Sequence, residues 1–571
     1  MTVTDTSATS GHVGRAGLDV QSLDLMLEAL SDFVNAALSP DLQLDLDHED
    51  RCPEDIVRAM SDPEQLGVQL VFVPEAYGGM DGGAFDSYRV CEVMARHDIG
   101  LATAVFATFL GSDPILVGAT EEQKQRWLGA IADKGVVFAY GATEPEAGSD
   151  LGALTTTATP ITNKKGGVTG YTINGRKQWI SNGTIADFTT ILAATPAGPS
   201  WFVVEKDTPG FSPAPPEDKH GLRLSNTGRA LPRGRQGPRG RPHRHGRGQG
   251  HGPGPAGLRL HPAHGCGLRP GRRLGGPRRA IQYSINREQG GGPLCEKQGY
   301  THKLIVPHAV RLEAARAYME DTADKIDRGL GTNGAMNCEG AIAKYMATVA
   351  GNAAADDAIQ AHGGYGYTRP YVVEKVKRDV RITTIYEGTS EIMEMTIARE
   401  RWQQHLKTQG RYYQDMGTEL SRLHASHPTV GADVAALAHQ ALAIVLEACR
   451  TGRLTRNQHV LFRIGELIAF TETAGVFAKA AAAAIDGTRF EKNPNRFTGD
   501  ALAAMSQVFA REAAQKVGLD GSRWVAGAAE PGSPAVAAVN AIPTAAILAA
   551  QAGLVTDMNY VADVLYGRLD G

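Results

Sequence analysis

Glu387 stands in the run Ile385-Tyr386-Glu387-Gly388-Thr389-Ser390-Glu391, a carboxylate beside a glycine just ahead of the amphipathic stretch Ile392 to Trp402. A carboxylate so placed can take a proton from a substrate, although its commoner role is a solvated charge near the positive end of a helix. Upstream lies Ala358-Ile359-Gln360-Ala361-His362-Gly363-Gly364-Tyr365-Gly366-Tyr367, whose glycines admit a pyrophosphate or ribose close to the backbone. Two further runs, Glu144-Pro145-Glu146-Ala147-Gly148-Ser149-Asp150 and Lys177-Gln178-Trp179-Ile180-Ser181-Asn182-Gly183, lie some thirty residues apart. Each alone reads as an ordinary turn, or a strand running into one.

These runs need elements to hold them. From Leu18 to about Gly135 apolar residues recur at helical spacing: Leu23, Leu25, Met26, Leu30 and Phe33, then Asp55 to Met60, then one long stretch from Ala84 to Leu110, then Glu121 to Ala132 with Trp127, Leu128 and Ile131 on one side. The period then changes. Val136 to Tyr140, Tyr171 to Ile173 and Phe202 to Val204 read as strands, with Asn174-Gly175 as a hairpin signal. Long helices return from Ala280 to about His405. Ala-rich segments follow at Ala435 to Cys449, Val460 to Ala484 and Gly499 to Lys516. The expected units are a helical domain at 18–135, a β-domain at 136–240, a helical bundle at 241–408 and a further helical domain at 409–571.

In their order along the chain the four runs resemble the signatures of the acyl-CoA dehydrogenases, over about residues 20 to 405. That resemblance implies a mainly α fold with a central β-domain: an N-terminal helical domain, a β-barrel-like middle domain and a four-helix bundle. The C-terminal extension resembles that of very-long-chain members, notably at Asn457 to Arg463. It also implies FAD, an acyl-CoA substrate, an electron-transfer flavoprotein as electron acceptor, and a homodimer or homotetramer. By the same resemblance Glu387 is the base that removes the acyl α-proton, the β-hydride passes to flavin N5, and trans-2-enoyl-CoA results. The enolate is held by the Glu387 backbone N–H and a flavin hydroxyl.

Residue by residue, the resemblance puts cofactor contacts at Tyr140, Ala142, Thr143, Gly148, Ser149, Trp179, Ile180, Ser181, Thr389 and Glu391. A flat isoalloxazine wants such an aromatic wall and strand-end amides. Arg287 matches an arginine that reaches the pyrophosphate of a neighbouring subunit's FAD, and Gln289, Gln298, Gln360, Gly363 and Gly364 match further cofactor contacts. Ser149, Gly388 and Arg399 match substrate contacts. Glu391 replaces a common Gln, and Gly290 stands where the family has Phe. Some relatives carry the base on an earlier helix, at the position of His261. Pro262 stands where a substrate-holding Arg is usual.

Gly228 to Arg279 is unlike its surroundings. It has no Lys, Asp, Glu, Ser, Thr, Val, Ile or aromatic residue, and about a quarter of it is Arg. Taking its 13 arginines from a chain of net charge −4 leaves −17, so the remainder is acidic. Such a composition builds no packed core. One reading is an arm that binds nucleic acid through phosphates. The other is a GC-rich coding text read out of frame. Every residue there except Cys266 belongs to the set available when the first codon base is G or C. The shifted frame at 228–238 is compatible with A-E-L-F-L-E-D-V-K-V-P, and the family's text resumes near Arg279. In that frame position 261 is compatible with Thr and incompatible with Glu, which favours Glu387 as base. The damage would fall where acyl substrate lies, so an inactive chain is one rival reading. An acyl-CoA oxidase, which forms peroxide without an electron-transfer partner, is another, and a DNA-associated flavoprotein is the third.

The bulk figures bound the rest. With 571 residues, 42% hydrophobic and 21% charged, the chain has material for three or four packed units. Six dispersed cysteines without a C-x-x-C pair argue against a disulfide framework or a zinc site. The start lacks a basic segment followed by an apolar core, so no secretory signal is expected. No apolar run of span length is expected either, nor a metal or nucleic-acid partner; the expected location is cytoplasmic.

Overall fold

The computed structural model describes residues 16–232, 236–237, 243–244, 276–330 and 335–569. The first helices are α1 (Val20–Ala37), α2 (Pro40–His48), α3 (Glu54–Ser61), α4 (Ala84–His97), α5 (Ile99–Gly118) and α6 (Glu121–Lys134). Asp19 caps α1 by accepting the Ser22 N–H, and α1 buries Leu23, Leu27, Leu30 and Val34 at helical spacing. Leu25 points outward instead. The stretch from Ala84 to Leu110 is two helices, not one. Asp98 breaks it, adopting an extended backbone and accepting the Leu101 N–H with its side chain. The same carboxylate meets Lys375 at 2.6 Å, and Lys375 meets Asp379, whose other oxygen accepts the Leu222 N–H. One buried cation thus ties the start of α5 to two later parts of the chain.

The β-domain has two sheets. The strands are β1 (Phe138–Gly141), β2 (Thr157–Thr162), β3 (Val168–Asn174), β4 (Lys177–Ser181), β5 (Phe188–Thr195), β6 (Gly198–Glu205), β7 (Phe211–Pro213), β8 (Thr227–Pro232), β9 (Gln236–Gly237) and β10 (His243–Arg244). The larger sheet runs β10-β6-β5-β2-β3-β9, with β1 parallel to β5; the smaller runs β4-β8-β7. Asn174-Gly175 is therefore not a hairpin turn. It carries the chain from β3 in one sheet to β4 in the other, and a Cβ at Gly175 would overlap the Thr156 side chain. The hairpins close elsewhere, between β2 and β3 and between β5 and β6.

The remaining helices are α7 (Gly276–Asn286), α8 (Gln298–Leu304), α9 (Val306–Lys325), α10 (Asn337–His362), α11 (Val372–Arg381), α12 (Ser390–Lys407), α13 (Tyr412–Ser426), α14 (Ala432–Thr451), α15 (Gln458–Ile485), α16 (Gly499–Ala528), α17 (Pro534–Ala538), α18 (Thr544–Ala549) and α19 (Leu554–Leu565). One apolar core joins the bundle residues Val310, Ile342 and Ile397 to Leu446, Phe477 and Phe509 of the extension. Salt links reinforce the join: Arg401 of α12 meets Glu472 of α15 at 2.6 Å, and Arg463 of α15 meets Glu394 of α12 at 3.0 Å.

The expectation of no span-length apolar run is corrected. Three described helices, α5, α14 and α15, are long and apolar enough to cross a membrane by length and composition. Their most apolar windows are 78%, 72% and 67% buried within the fold, so their apolarity serves the core.

Candidate active site

Glu387 sits between α11 and α12 with its backbone in the left-handed region, φ 51°, followed by Gly388 at φ 90°. A left-handed glutamate is strained, and such strain persists where the surroundings over-determine it. Thr389 then caps α12 by accepting the Ile392 N–H. The turn is held from below by Lys344 of α10, a buried lysine whose Nζ donates to the Gly388 carbonyl at 2.6 Å. Among the described residues nothing hydrogen-bonds the Glu387 carboxylate, and its backbone N–H has no acceptor. Loss of water around the carboxyl pushes its pKa up to about 7, with the Lys344 charge as the opposing influence.

Tyr140 lies within electrostatic reach of this carboxyl and of a second one, Asp113. The phenol of Tyr140, on β1, feels the charges of both Glu387 and Asp113 and is pushed up, chiefly by its own burial. Its ring lies 4.9 Å from that of Trp201. Asp113, on α5, keeps a buried Oδ2 without a hydrogen-bond partner among the described residues, and burial alone raises its carboxyl to about 7. The β-domain, α5 and the bundle thus converge on one polar spot.

The loop after β1 is built on a different carboxylate. Glu144 is buried, which would raise its pKa, yet Lys177, Thr155 and Thr156 hydrogen-bond it and hold it at about 2. Lys177 also donates to the Ala142 carbonyl. Glu144 and Ala147 pair back to back, which leaves Gly148 and Ser149 exposed, with open space where a Cβ of Gly148 would lie. Along β4 the pairing with β8 shifts register between Lys177 and Ile180. That bulge turns Trp179 outward at φ 57°, 56% exposed, while Ile180 is 2% exposed. Ile180 and Ala142 can thus offer a ligand only their backbones. Ser181 is partly buried and Thr143, whose carbonyl accepts the Gln178 N–H, is too.

A second group lies on other elements. Arg287 rests over the Tyr365 ring at 5.9 Å, and Tyr283 stacks on His362, which joins the Arg287-to-Gly292 turn to the glycine run after α10. Arg287, Gln289, Gln360, Gly363 and Gly364 are all exposed, and Gly290, Gly291, Gly363 and Gly364 have nothing within 4 Å of a Cβ. Gln298 departs from the expectation: its amide is engaged with Asn559 of α19 at 2.9 Å. Arg399 also departs. It lies on the exposed face of α12, eight residues beyond Glu391, which is itself exposed on the first turn of that helix. His261 and Pro262 lie outside the described residues, as does most of the Arg/Gly-rich segment, so both readings of it stand as they were.

Two residues here escaped the sequence reading, Lys344 and Asp113. Each is the one charge in a short apolar run of its helix, Ala341-Ile342-Ala343-Lys344-Tyr345-Met346 and Phe109-Leu110-Gly111-Ser112-Asp113-Pro114. A charge there requires a partner or a function, and that signal was readable.

The comparisons agree with this geometry. The N-terminal, middle and C-terminal domain models of acyl-CoA dehydrogenase match residues 21–135, 139–230 and 275–401. The unmatched gap between the last two coincides with the Arg/Gly-rich segment. An acyl-CoA dehydrogenase of Bacillus subtilis is 34% identical over 394 residues, covering 66% of this chain and 96% of that protein. This chain belongs to the acyl-CoA dehydrogenase family. A Bacillus anthracis acyl-CoA dehydrogenase solved with FAD has the same fold along nearly the whole length, with a TM-score of 0.78 at 22% identity, covering 96% of this chain and 95% of that one. Butyryl-CoA dehydrogenase of Megasphaera elsdenii superposes with a TM-score of 0.57 at 27% identity, covering 70% of this chain and 99% of the other. The cofactor of the family fold is FAD. The outward Trp179, the bare glycine backbones at 148, 363 and 364 and the free Glu387 N–H are suited to a flat, phosphate-bearing ligand.

Proposed function

We propose that this protein is an FAD-dependent acyl-CoA dehydrogenase that converts an acyl-CoA thioester to trans-2-enoyl-CoA, with Glu387 as the base. The observation that carries this reading is the Glu387 carboxyl: half-buried, without a hydrogen-bond partner among the described residues, and raised to about 7 by loss of water. An acyl α-proton is too weakly acidic for a solvated carboxylate to remove, and a base poised near neutrality is what the step requires. The free N–H of Glu387 supplies a donor for the thioester oxygen as charge develops there. Gly388 leaves room beside the thioester, and Ser149 and Gly148 offer an exposed loop to substrate and cofactor. The chemistry that FAD would supply here is acceptance of the β-hydride. Trp179, Thr143, Tyr140, the Ala142, Ile180 and Ser181 backbones, Thr389 and Glu391 are the residues that would hold its ring.

Arg287, Gln289, Gln360, Gly363 and Gly364 form the second group, which in this reading serves the FAD of a neighbouring subunit in a homodimer or homotetramer. Gln298 and Arg399 are placed less directly, the first by its bond to Asn559 and the second by its exposure. The reading divides the chain at 18–135, 136–240, 241–408 and 409–571, assigns it to lipid β-oxidation in the cytoplasm, and takes electron-transfer flavoprotein as the acceptor. The five described cysteines are all free, in keeping with a reducing compartment.

The test is anaerobic. Flavin-loaded protein mixed with butyryl-, octanoyl- and palmitoyl-CoA is expected to lose its flavin absorbance with at least one of them and to yield one 2-enoyl-CoA per flavin. No bleaching across the series contradicts the proposal. Rapid peroxide formation in air assigns the chain to the oxidases instead.

A further inference from the structure

We propose that Lys344 is the positioning residue of this site, holding the Glu387-Gly388 turn by its bond to the Gly388 carbonyl and setting the charge that the base feels. The proposal rests on Glu387 being the base. Lys344 is 1% exposed, in an apolar run of α10, and its ammonium lies 2.6 Å from the carbonyl oxygen of the residue after Glu387. A buried lysine is costly to keep, and packing alone would favour an apolar side chain there. The turn it braces is the one place in the site where a non-glycine and a glycine are left-handed in succession. Without a donor from beneath, that pair has little reason to stay there.

The charge has a second effect. Groups that face the Glu387 carboxyl are Lys344 from α10, Tyr386 beside it and Tyr140 from β1 with Asp113 of α5 behind. Glu391, on α12, also feels Lys344. Lys344 is the one cation among them, so it alone opposes the protonation that burial favours at Glu387. A carboxyl with a raised pKa is ionised, and able to act as base, only above that pKa. Removing the cation raises it further and moves the active range to higher pH.

Three variants separate support from charge. Lys344→Arg keeps both, Lys344→Gln keeps a donor for the Gly388 carbonyl without charge, and Lys344→Met keeps neither. The readout is the rate of flavin bleaching at low acyl-CoA concentration across pH, using whichever of butyryl-, octanoyl- or palmitoyl-CoA the unaltered protein oxidises fastest. The unaltered protein and Lys344→Arg are expected to gain rate through about pH 7. For Lys344→Gln the rise moves up by about one pH unit with flavin still bound. Lys344→Met shows the same movement and a further fall of about tenfold or more at the plateau. An unmoved rise in the two uncharged variants, or failure of both to hold flavin, makes the lysine a folding residue only and overturns the proposal. Normal bleaching in Glu387→Gln overturns the base assignment instead, whatever the Lys344 variants do.

Discussion

At the residue scale the site contains two raised carboxyls with different partners. Glu387 has Lys344 to oppose its burial; Asp113 has no such opposing influence and is pushed up to about 7 by burial alone. The consequence for stability follows from linkage. In the unfolded chain Asp113 loses its proton near pH 4, whereas in the fold it keeps the proton to about 7. The folded state therefore binds the extra proton between those values, and stability falls as pH rises across that window. Asp113→Asn removes the penalty. Its thermal midpoint is expected to exceed that of the unaltered protein at pH 8, by an amount equivalent to roughly 4 kcal/mol, and to approach it at pH 4. A difference that stays constant with pH contradicts this account of Asp113. Glu387 was picked out from its sequence neighbours, where a short motif singles out this carboxylate for the proposed role. For Lys344 the sequence shows a charge in an apolar run that needs a partner but not which one, because that partner is a backbone carbonyl 44 residues away and no spacing rule connects the two.

At the element scale the Glu387-Gly388 turn is fixed by what packs on the helix that follows it. α15 crosses α12 with backbone nearly touching backbone: a Cβ at Gly465 would overlap the Glu394 carbonyl. Close crossings of this kind need glycine, and side chains forced into them shift the helices apart. Two residues away, Arg463 binds the Glu394 carboxylate. Gly465→Val is thus expected to cost about 1–3 kcal/mol, read as a lower unfolding midpoint in thermal or denaturant scans. An unchanged midpoint would show that α15 is free to move off α12. Helix and strand types were largely readable from periodicity, as in α1 and β6. Asp98 and Asn174-Gly175 were not read correctly, since a break within an apolar stretch and a switch of sheet are both decided by distant partners, Lys375 for one and Thr156 for the other. The bulge that turns Trp179 outward is a third case, because it exists only as a mismatch between β4 and β8.

At the scale of the whole molecule, residues of three parts of the chain come together around Glu387 and Tyr140. Tyr140 comes from the β-domain, Asp113 from the N-terminal helices and Lys344 from the bundle. The extension braces the bundle from outside through the shared core and the Arg401–Glu472 pair. Composition and length carry no sign of this convergence, which arises from packing between elements hundreds of residues apart. The account is tested most directly by Glu387→Gln, an isosteric change that removes the base and keeps the turn. The protein is expected to hold FAD normally while bleaching by acyl-CoA slows by about a thousandfold. Bleaching at the unaltered rate, with flavin fully bound, would contradict it.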